Sequence, residues 1–151
     1  KIKNKIPDIG LTTEIIVGFP GETDDDFQDT LDVVNEVGFE NAFMFMYSVR
    51  SGTPAATMDE QVSEQVKSER LQQLMRLQNM KAKEETKKYL DQTIKVLVEG
   101  PSKKNPEMLT GRTSTHKIAL FKSDRTDLKG KFVNIRVYDT KTWTLYGEMV
   151  E

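Results

Sequence analysis

The chain has 151 residues, a formal net charge of −2 and no cysteine. This length suits one ordinary domain or two small ones, and the lack of cysteine excludes disulfides, thiolate metal sites and cysteine nucleophiles within the chain. No apolar run approaches membrane-spanning length and no signal-peptide apolar region is seen, so we expect a soluble, cytoplasmic protein without membrane partners.

The charges are divided unevenly along the chain. Residues 1–91 carry 11 Lys and Arg against 17 Asp and Glu, a net −6, whereas residues 92–151 carry 11 against 7, a net +4. This division predicts two modules with different partners, with ordinary scatter as the alternative explanation.

The first predicted element is a strand over residues 11–17, "LTTEIIV", whose continuous apolar character is typical of a strand covered on both faces. The turn "GFPGET" follows. Thr23 is a good N-cap, and Asp26, three residues later, stands where a capping box has its acidic residue. Gly38 is predicted to end the helix.

A phosphate-binding loop is one hypothesis for this turn, because glycines before a helix can cradle anions. The turn lacks the lysine of a Walker loop and the third glycine of a dinucleotide motif. Its helix also opens with Asp24, Asp25 and Asp26, which would repel a phosphate. We therefore do not expect nucleotide triphosphate binding here.

The second predicted strand is "NAFMFMYS", which makes residues 11–48 a strand–helix–strand unit. After a loop containing Gly52 and Pro54, a long amphipathic helix begins near Ser63. Its apolar stripe is predicted to comprise Val66, Leu71, Leu74, Leu77 and, less certainly, Met80. Because its last two turns are almost wholly polar, we expect them to project as a spacer.

From Thr93 onward the period changes to that of short strands. "TIKVLVEG", "HKIALFK", "KFVNIRVYD" and "TLYGEMVE" alternate in polarity and are separated by polar turns. In the third segment, Phe132, Asn134 and Arg136 are predicted to face solvent. Val133, Ile135 and Val137 are predicted to face the core. The fold class is thus α/β followed by all-β. Residues 92–151 are predicted to form a small OB-like closed barrel, with a domain boundary near Asp91.

One strand–helix–strand unit cannot cover both faces of its own sheet. Residues 1–91 are therefore expected to be the C-terminal portion of a larger α/β domain, unless another copy of the chain covers the sheet.

Two stretches carry a specific family resemblance. "TTEIIVGFPGETDDDFQDTLDVVNEVGF" with "FMYSVRSGTPAATMDEQV" resembles the end of the barrel in radical-SAM methylthiotransferases, and "VLVEGPSKKNPEMLTGRTSTHKIALF" onward resembles the TRAM domain that follows it. Within that family, "GTPAATM", "VEGPSKKN" and "GRT" are most similar to enzymes acting on isopentenyladenosine in tRNA. The branches acting on threonylcarbamoyladenosine or on a ribosomal protein fit less well.

The resemblance implies an enzyme that adds a methylthio group to carbon 2 of the modified adenine next to the anticodon. It also implies S-adenosylmethionine and two four-iron four-sulfur clusters as cofactors, and the tRNA anticodon stem-loop as partner. Because this chain has no cysteine to bind a cluster, we expect no catalytic residue, no metal site and no activity in the chain alone.

The resemblance further implies that the end of the first strand lies against S-adenosylmethionine. Ile16 would pack on the adenine, while Gly18 and Gly21 would let the backbone approach closely. Glu14, an acid within an apolar strand, and Arg50, after the second strand, are further cofactor candidates. The structural alternatives are a rigid turn for the glycines, an interstrand salt bridge for Glu14 and a loop-stabilising role for Arg50.

In the basic module, Arg112 of "GRT" is the preferred RNA contact. The other candidates are the cationic side chains in or beside the predicted loops, Lys103, Lys104, His116, Lys117 and Lys122. Solvated lysines are the common alternative, and Trp143 is expected to fold over the barrel end rather than stack on a base.

Two other functions stay open at this point. The chain could be a stand-alone RNA-binding module, or an interaction protein that self-associates through the long helix or the exposed partial barrel.

Overall fold

The computed structural model describes residues 1–7 and 9–150. These form two compact units, one over residues 11–81 and the other over residues 82–150 with the described residues of 1–10. No helix in this described part is long and apolar enough to cross a membrane. The elements in chain order are α1 (Ile2–Lys5), β1 (Thr12–Val17), α2 (Asp24–Val37), β2 (Asn41–Met46), a 3₁₀ helix (Pro54–Thr57), α3 (Glu64–Lys87), β3 (Thr93–Pro101), β4 (Met108–Arg112), β5 (Ile118–Lys122), β6 (Phe132–Thr140) and β7 (Thr144–Val150).

The unit over residues 11–81 is built on a two-stranded parallel sheet. β1 and β2 pair in register from Thr12 with Asn41 to Val17 with Met46, and α2 connects the two strands. Parallel neighbours need such a crossover, because a tight turn cannot return the chain to the same end of the sheet. The predicted strand–helix–strand unit is confirmed.

Both ends of α2 follow the capping signals in the sequence. The Thr23 hydroxyl accepts a hydrogen bond from the Asp26 backbone N at 3.2 Å. The Asp26 carboxylate accepts one from the Thr23 backbone N at 2.9 Å, which completes a capping box. At the other end Gly38 adopts a left-handed φ of 60°, as expected of a helix-terminating glycine.

Only one face of this sheet is covered within the described residues. That face belongs to a core that contains Val17, Phe27, Leu31, Val34 and Leu74. On the opposite face Ile16, Phe43 and Phe45 each keep more than half of their surface exposed. The expectation that the first strand is covered on both faces is therefore wrong for this chain. Strand residues alternate in direction, and the helices of this unit pack on one side only.

α3 buries polar as well as apolar side chains along one stripe. The buried positions recur every three or four residues and are Lys67, Arg70, Leu74, Gln78, Ala82 and Thr86. Met80, the uncertain member of the predicted stripe, is half exposed.

The expectation that the last turns of α3 project as a spacer is also wrong. Ala82 and Thr86 are fully buried in the barrel unit. The Thr86 hydroxyl donates to the carbonyl oxygen of Thr142 at 2.9 Å, so its polarity is no obstacle to burial.

The strands after α3 form a closed barrel in the order β3-β4-β5-β7-β6, which confirms the predicted small barrel. All neighbours are antiparallel except β5 and β7. The predicted alternation in β6 is also confirmed, because Ile135 and Val137 are fully buried whereas Phe132 is 63% exposed. The barrel core consists of Val96, Val98, Ala119, Phe121, Leu128, Ile135, Val137 and Leu145.

The glycine of "GRT" has a packing role inside this barrel. A Cβ on Gly111 would lie 2.4 Å from Val96 Cγ1 and 2.6 Å from the Leu97 carbonyl oxygen. Any other residue would push β3 and β4 apart, since interior packing leaves no space for an added methyl group. Gly111 therefore lets the barrel close next to Arg112.

Candidate functional site

The turn "GFPGET" is fixed by a buried arginine from α3. Arg70 donates from Nη1 to the Glu22 carboxylate at 2.7 Å and to the Glu22 carbonyl oxygen at 3.0 Å. From Nη2 it donates to Asp24 Oδ1 at 2.7 Å. The second Glu22 carboxylate oxygen accepts from the Gly18 backbone N at 3.0 Å. One guanidinium thus holds the turn and the acidic start of α2 together.

These contacts also determine the charge states at the start of α2. Burial alone would lower the pKa of the Arg70 guanidinium, but its hydrogen bonds to Asp24 and Glu22 outweigh burial and raise the pKa above the ordinary arginine value. Hydrogen bonds from the Thr23 side chain and backbone hold the pKa of the Asp26 carboxyl below its usual range. Glu22, Asp24 and Asp26 are therefore structural parts of the turn and its cap.

The two glycines of the turn face neighbouring parts of the same unit. Gly18 has a φ of +73°, and a Cβ there would lie 2.3 Å from Cγ of Lys67. Gly21 has a φ of +85° and donates its backbone N–H to the Glu60 carbonyl oxygen at 2.8 Å. Both positions therefore require glycine for the turn itself, before any ligand is considered.

Three of the five predicted cofactor residues meet at one open cavity of about 820 Å³ on the exposed face of β1 and β2. These are Glu14, Ile16 and Arg50; Gly18 and Gly21 are not part of the lining. The remaining wall consists of Phe19, Phe45, Met46, Tyr47, Ser48, Thr53 and Ala55. An apolar floor with one carboxylate and one guanidinium suits a ligand that has a flat apolar ring and charged groups of both signs.

The predicted RNA-binding residues fall at two ends of the same strand pair. Arg112 pairs with Ile118 at one end, and His116 lies in the turn between β4 and β5 at that end. Lys122 pairs with Met108 at the other end, where Lys103 and Lys104 occupy the β3–β4 connection. Met108 and Arg112 are four residue steps apart along β4, so roughly 13 Å separates the two groups.

Arg112 is oriented by two contacts. Its Nε donates to Glu99 Oε1 at 2.9 Å, and its Nη1 donates to the His116 carbonyl oxygen at 3.3 Å. His116 has a left-handed φ of 64°, which tightens the turn beneath the guanidinium. About two fifths of the Arg112 side chain is exposed, so part of the guanidinium faces solvent.

Lys117 is not at the surface with the other candidates. It is buried, and its Nζ donates to the Thr86 hydroxyl at 3.0 Å and lies 5.9 Å from the centre of the Tyr89 ring. The sequence offered no sign of this, because lysine side chains are rarely fully buried. Its ammonium joins the end of α3 to the β4–β5 turn and so helps to position Arg112 and His116.

Phe132 and Lys95 are binding candidates that were not predicted from the sequence. Phe132 is 63% exposed on the outer face of β6, and Lys95 Nζ lies 5.2 Å from the centre of its ring. The sequence does contain one indication: Phe132 is an aromatic residue at a solvent-facing position of β6, where a polar residue is expected. Both side chains line a cavity of about 560 Å³ in the barrel unit.

Residues 1–7 and 9–150 include no group of three or more His, Cys, Asp or Glu side chains that could hold a metal ion. With no cysteine in the chain, these residues do not fit an iron–sulfur cluster. No chemical step through a cluster is derived for them.

Comparisons with known proteins give matches to both units of the chain. The TRAM domain family matches residues 87–150, which include all five strands of the closed barrel. Three curated relatives are each named tRNA-2-methylthio-N(6)-dimethylallyladenosine synthase. The proteins from Fusobacterium nucleatum, Acetivibrio thermocellus and Alkaliphilus oremlandii are 61%, 53% and 49% identical to this chain.

These matches cover 99% of this chain for the first two relatives and 100% for the third. They cover only 34%, 31% and 32% of the relatives themselves. The chain therefore spans about one third of the length of the curated relatives it matches.

Proposed function

We propose that this chain forms the cofactor-facing and RNA-binding part of a tRNA methylthiotransferase, in the family that its curated relatives represent. The complete enzyme would add a methylthio group to carbon 2 of isopentenyladenosine next to the anticodon. The observation that carries this proposal is the match at 61% identity over 99% of this chain, which runs through both units. The stand-alone RNA-binding module and the sister methylthiotransferases are not favoured by these relatives.

We propose that the open face of β1 and β2 is the part that contacts S-adenosylmethionine. Ile16 and Phe45 offer an apolar surface for the adenine, and Arg50 offers a guanidinium for the cofactor's carboxylate. Glu14 supplies a negative charge that suits either the ammonium group or the ribose hydroxyls. When bound, the cofactor would supply the methyl group and the radical precursor of the family's chemistry.

Gly18 and Gly21 contribute to this proposed site indirectly, through the shape of the turn. They allow the tight turn that Arg70 holds in place, and the turn fixes where β1 ends. The iron–sulfur clusters of the reaction would need cysteines that are absent from this chain, so we propose that the chain alone is inactive.

The barrel is the proposed RNA-binding module. Arg112 and His116 at one end of β4, and the exposed lysines at the other end, would contact phosphates of the anticodon stem-loop in the cytoplasm. Lys117 would hold the β4–β5 turn from inside rather than touch RNA, because its ammonium is buried against Thr86.

The test is binding of this chain to a tRNA anticodon stem-loop over a range of salt concentrations. Affinity should fall as salt rises, because phosphates that are neutralised by the protein release their counterions. Arg112→Ala should weaken binding by about 1–3 kcal/mol. Glu99→Gln should strengthen it, since this change releases the Arg112 guanidinium from its ion pair. No binding at low salt would overturn the RNA assignment.

Self-association is a second proposal about partners, and it concerns the sheet rather than the long helix. Leu74 is fully buried in the core of its own unit, with Leu71 packed against that core, so charged residues there would test folding and not assembly. Phe43→Lys is the better probe, because Phe43 lies on the exposed sheet face. Sedimentation should show a concentration-dependent dimer that this variant abolishes, and a wild-type chain that stays monomeric would refute the proposal.

A further inference from the structure

We propose that Phe132 is a stacking platform for one unpaired base of the bound RNA, with Lys95 and Arg112 placed to hold the adjoining phosphates. This inference rests on the proposed RNA-binding function, and it gives Phe132 and Lys95 a role that was not predicted from the sequence. It concerns the outer face of β3, β4 and β6, away from the lysines at the far end of β4.

The strand register brings these side chains into one row. Leu97 of β3 pairs with Arg112 of β4 on one side and with Phe132 of β6 on the other. All three point outward, because their neighbours Val96 and Val98 point into the barrel core. Adjacent strands lie about 4.8 Å apart, so roughly 10 Å separates the backbones of Arg112 and Phe132. That distance is within reach of one nucleotide and its phosphate.

The exposure of Phe132 is what a stacking site requires. Its side chain keeps 63% of its surface open, and Leu97 beside it keeps 38%. Lys95 Nζ lies over the ring at 5.2 Å from its centre, which places a cation at the proposed stacking site. Aromatic rings on the outer face of small barrels bind bases in this way whatever the base, since every base has a flat π surface.

The charges around the row are those that a phosphate backbone needs. Lys95 lies next to Phe132, and Arg136 follows on the same outer face of β6. Glu99 is an acid close to the row, and it is engaged by Arg112 at 2.9 Å. Glu148 of β7 pairs across from Arg136. Around the ring itself the cations Lys95 and Arg112 therefore outnumber Glu99.

A cavity beside the ring gives the edge of the base a place to lie. It has a volume of about 560 Å³ and is lined by Phe132 and Lys95 together with Gln92, Ser114 and Thr115. Amide and hydroxyl groups can both donate and accept hydrogen bonds, so they suit base edges of more than one kind. The ligand class is accordingly single-stranded RNA rather than a paired helix, whose bases are already stacked on each other.

The experiment compares RNA binding by the full chain and by matched variants. The probes are a labelled tRNA anticodon stem-loop and the same stem closed as a blunt duplex, measured by fluorescence anisotropy. Phe132→Leu keeps the apolar bulk but removes the ring, and Phe132→Tyr keeps the ring. Tyr138→Leu is the control, because Tyr138 is another exposed aromatic residue of β6 that lies outside the cavity lining.

Phe132→Leu should weaken stem-loop binding by roughly 5- to 150-fold, which is the range for losing one stacked base. Duplex binding should not change, and Phe132→Tyr and Tyr138→Leu should stay within about twofold of wild type. Lys95→Gln should weaken binding and reduce the salt slope by about 0.7.

Stem-loop binding by Phe132→Leu within about twofold of wild type would overturn the platform and leave the proposed function standing. An equal loss on the duplex would also overturn it. If the wild-type chain itself binds no RNA at low salt, the proposed function and the platform both fail.

Discussion

The closed barrel and the two-stranded sheet use their outer faces in different ways. In the barrel every strand has a neighbour on both sides, and the inward side chains of β3 and β6 are buried while most outward ones are polar. In the β1–β2 sheet both faces are apolar and only one is covered within its unit. The barrel thus contains its whole core, whereas the open sheet leaves one apolar face exposed.

This difference bears on where the proposed binding surfaces lie. Large apolar side chains that are exposed beside one another on a strand face are candidates for contact with a ligand or partner. Ile16 and Phe45 belong to the surface proposed on the open sheet, and Phe132 to the one proposed on the outside of the barrel.

The largest change in stability should come from replacing a phenylalanine in the barrel core, compared with one on the open sheet. Phe121→Ala should destabilise the barrel by about 3–5 kcal/mol, because the side chain is fully buried and its removal leaves a cavity. Phe45→Ala on the open sheet should change stability by less than about 1 kcal/mol, since about half of that side chain is already in water. Amide hydrogen exchange reads each unit separately. If the two variants lower the free energy of unfolding of their units equally, the proposed difference between the barrel and the open sheet is wrong.

The next effect tests whether the turn before α2 depends on one buried guanidinium. Arg70→Met should destabilise the unit over residues 11–81 by about 2–3 kcal/mol, because it leaves the carboxylate of Glu22 without its partner. Arg76→Met, at an exposed position of the same helix, is the matched control and should change stability by less than about 0.5 kcal/mol. If urea unfolding gives the same midpoint for both variants, the role assigned to Arg70 is wrong.

A smaller effect concerns the buried end of α3. Thr86→Val keeps the shape of the side chain but removes the hydroxyl that Lys117 donates to, so it should cost about 1–2 kcal/mol. Thr126→Val, at an exposed position, should be close to neutral. Trp143, the single tryptophan, lies in the barrel unit and gives a fluorescence signal for its unfolding. If Thr86→Val leaves the free energy of unfolding unchanged, the contact between Lys117 and Thr86 does not stabilise the barrel.

The smallest effect concerns the stability that the capping box of α2 contributes and how that contribution depends on pH. Thr23→Ala should cost about 1 kcal/mol at neutral pH, because it removes the side-chain half of the capping box. The folded-state pKa of Asp26 is lowered, so its contribution is present above the ordinary carboxyl range and is lost as the pH falls. The difference between wild type and Thr23→Ala should therefore shrink in acid. A difference that grows in acid would contradict the capping box.

The sequence predicted the fold well wherever short-range chemistry decides the outcome. The cap at Thr23, the helix end at Gly38, and the alternation along β6 all depend on neighbouring residues and were predicted correctly. The polar stripe of α3 could not be predicted in this way. Lys67, Arg70 and Gln78 are buried because of residues far along the chain; Arg70 meets Glu22, and Gln78 donates to the Phe39 carbonyl oxygen at 2.9 Å.

The candidate sites show the same limit. Glu14, Ile16 and Arg50 were proposed from a resemblance, and the register of β1 with β2 is what places them around one cavity. The pairing of Phe132 with Leu97 and Arg112 across three strands depends on how the barrel closes, so no local pattern could predict it.

The most direct test of this account is an NMR titration of the labelled chain with each proposed ligand in turn. Anticodon stem-loop RNA should shift amides of β3, β6 and the Arg112–His116 turn and leave β1 and β2 unchanged. S-adenosylmethionine should do the reverse, with shifts around Glu14, Ile16 and Arg50. Shifts in β1 and β2 on adding RNA, or in the barrel strands on adding the cofactor, would contradict the assignment of one ligand to each surface.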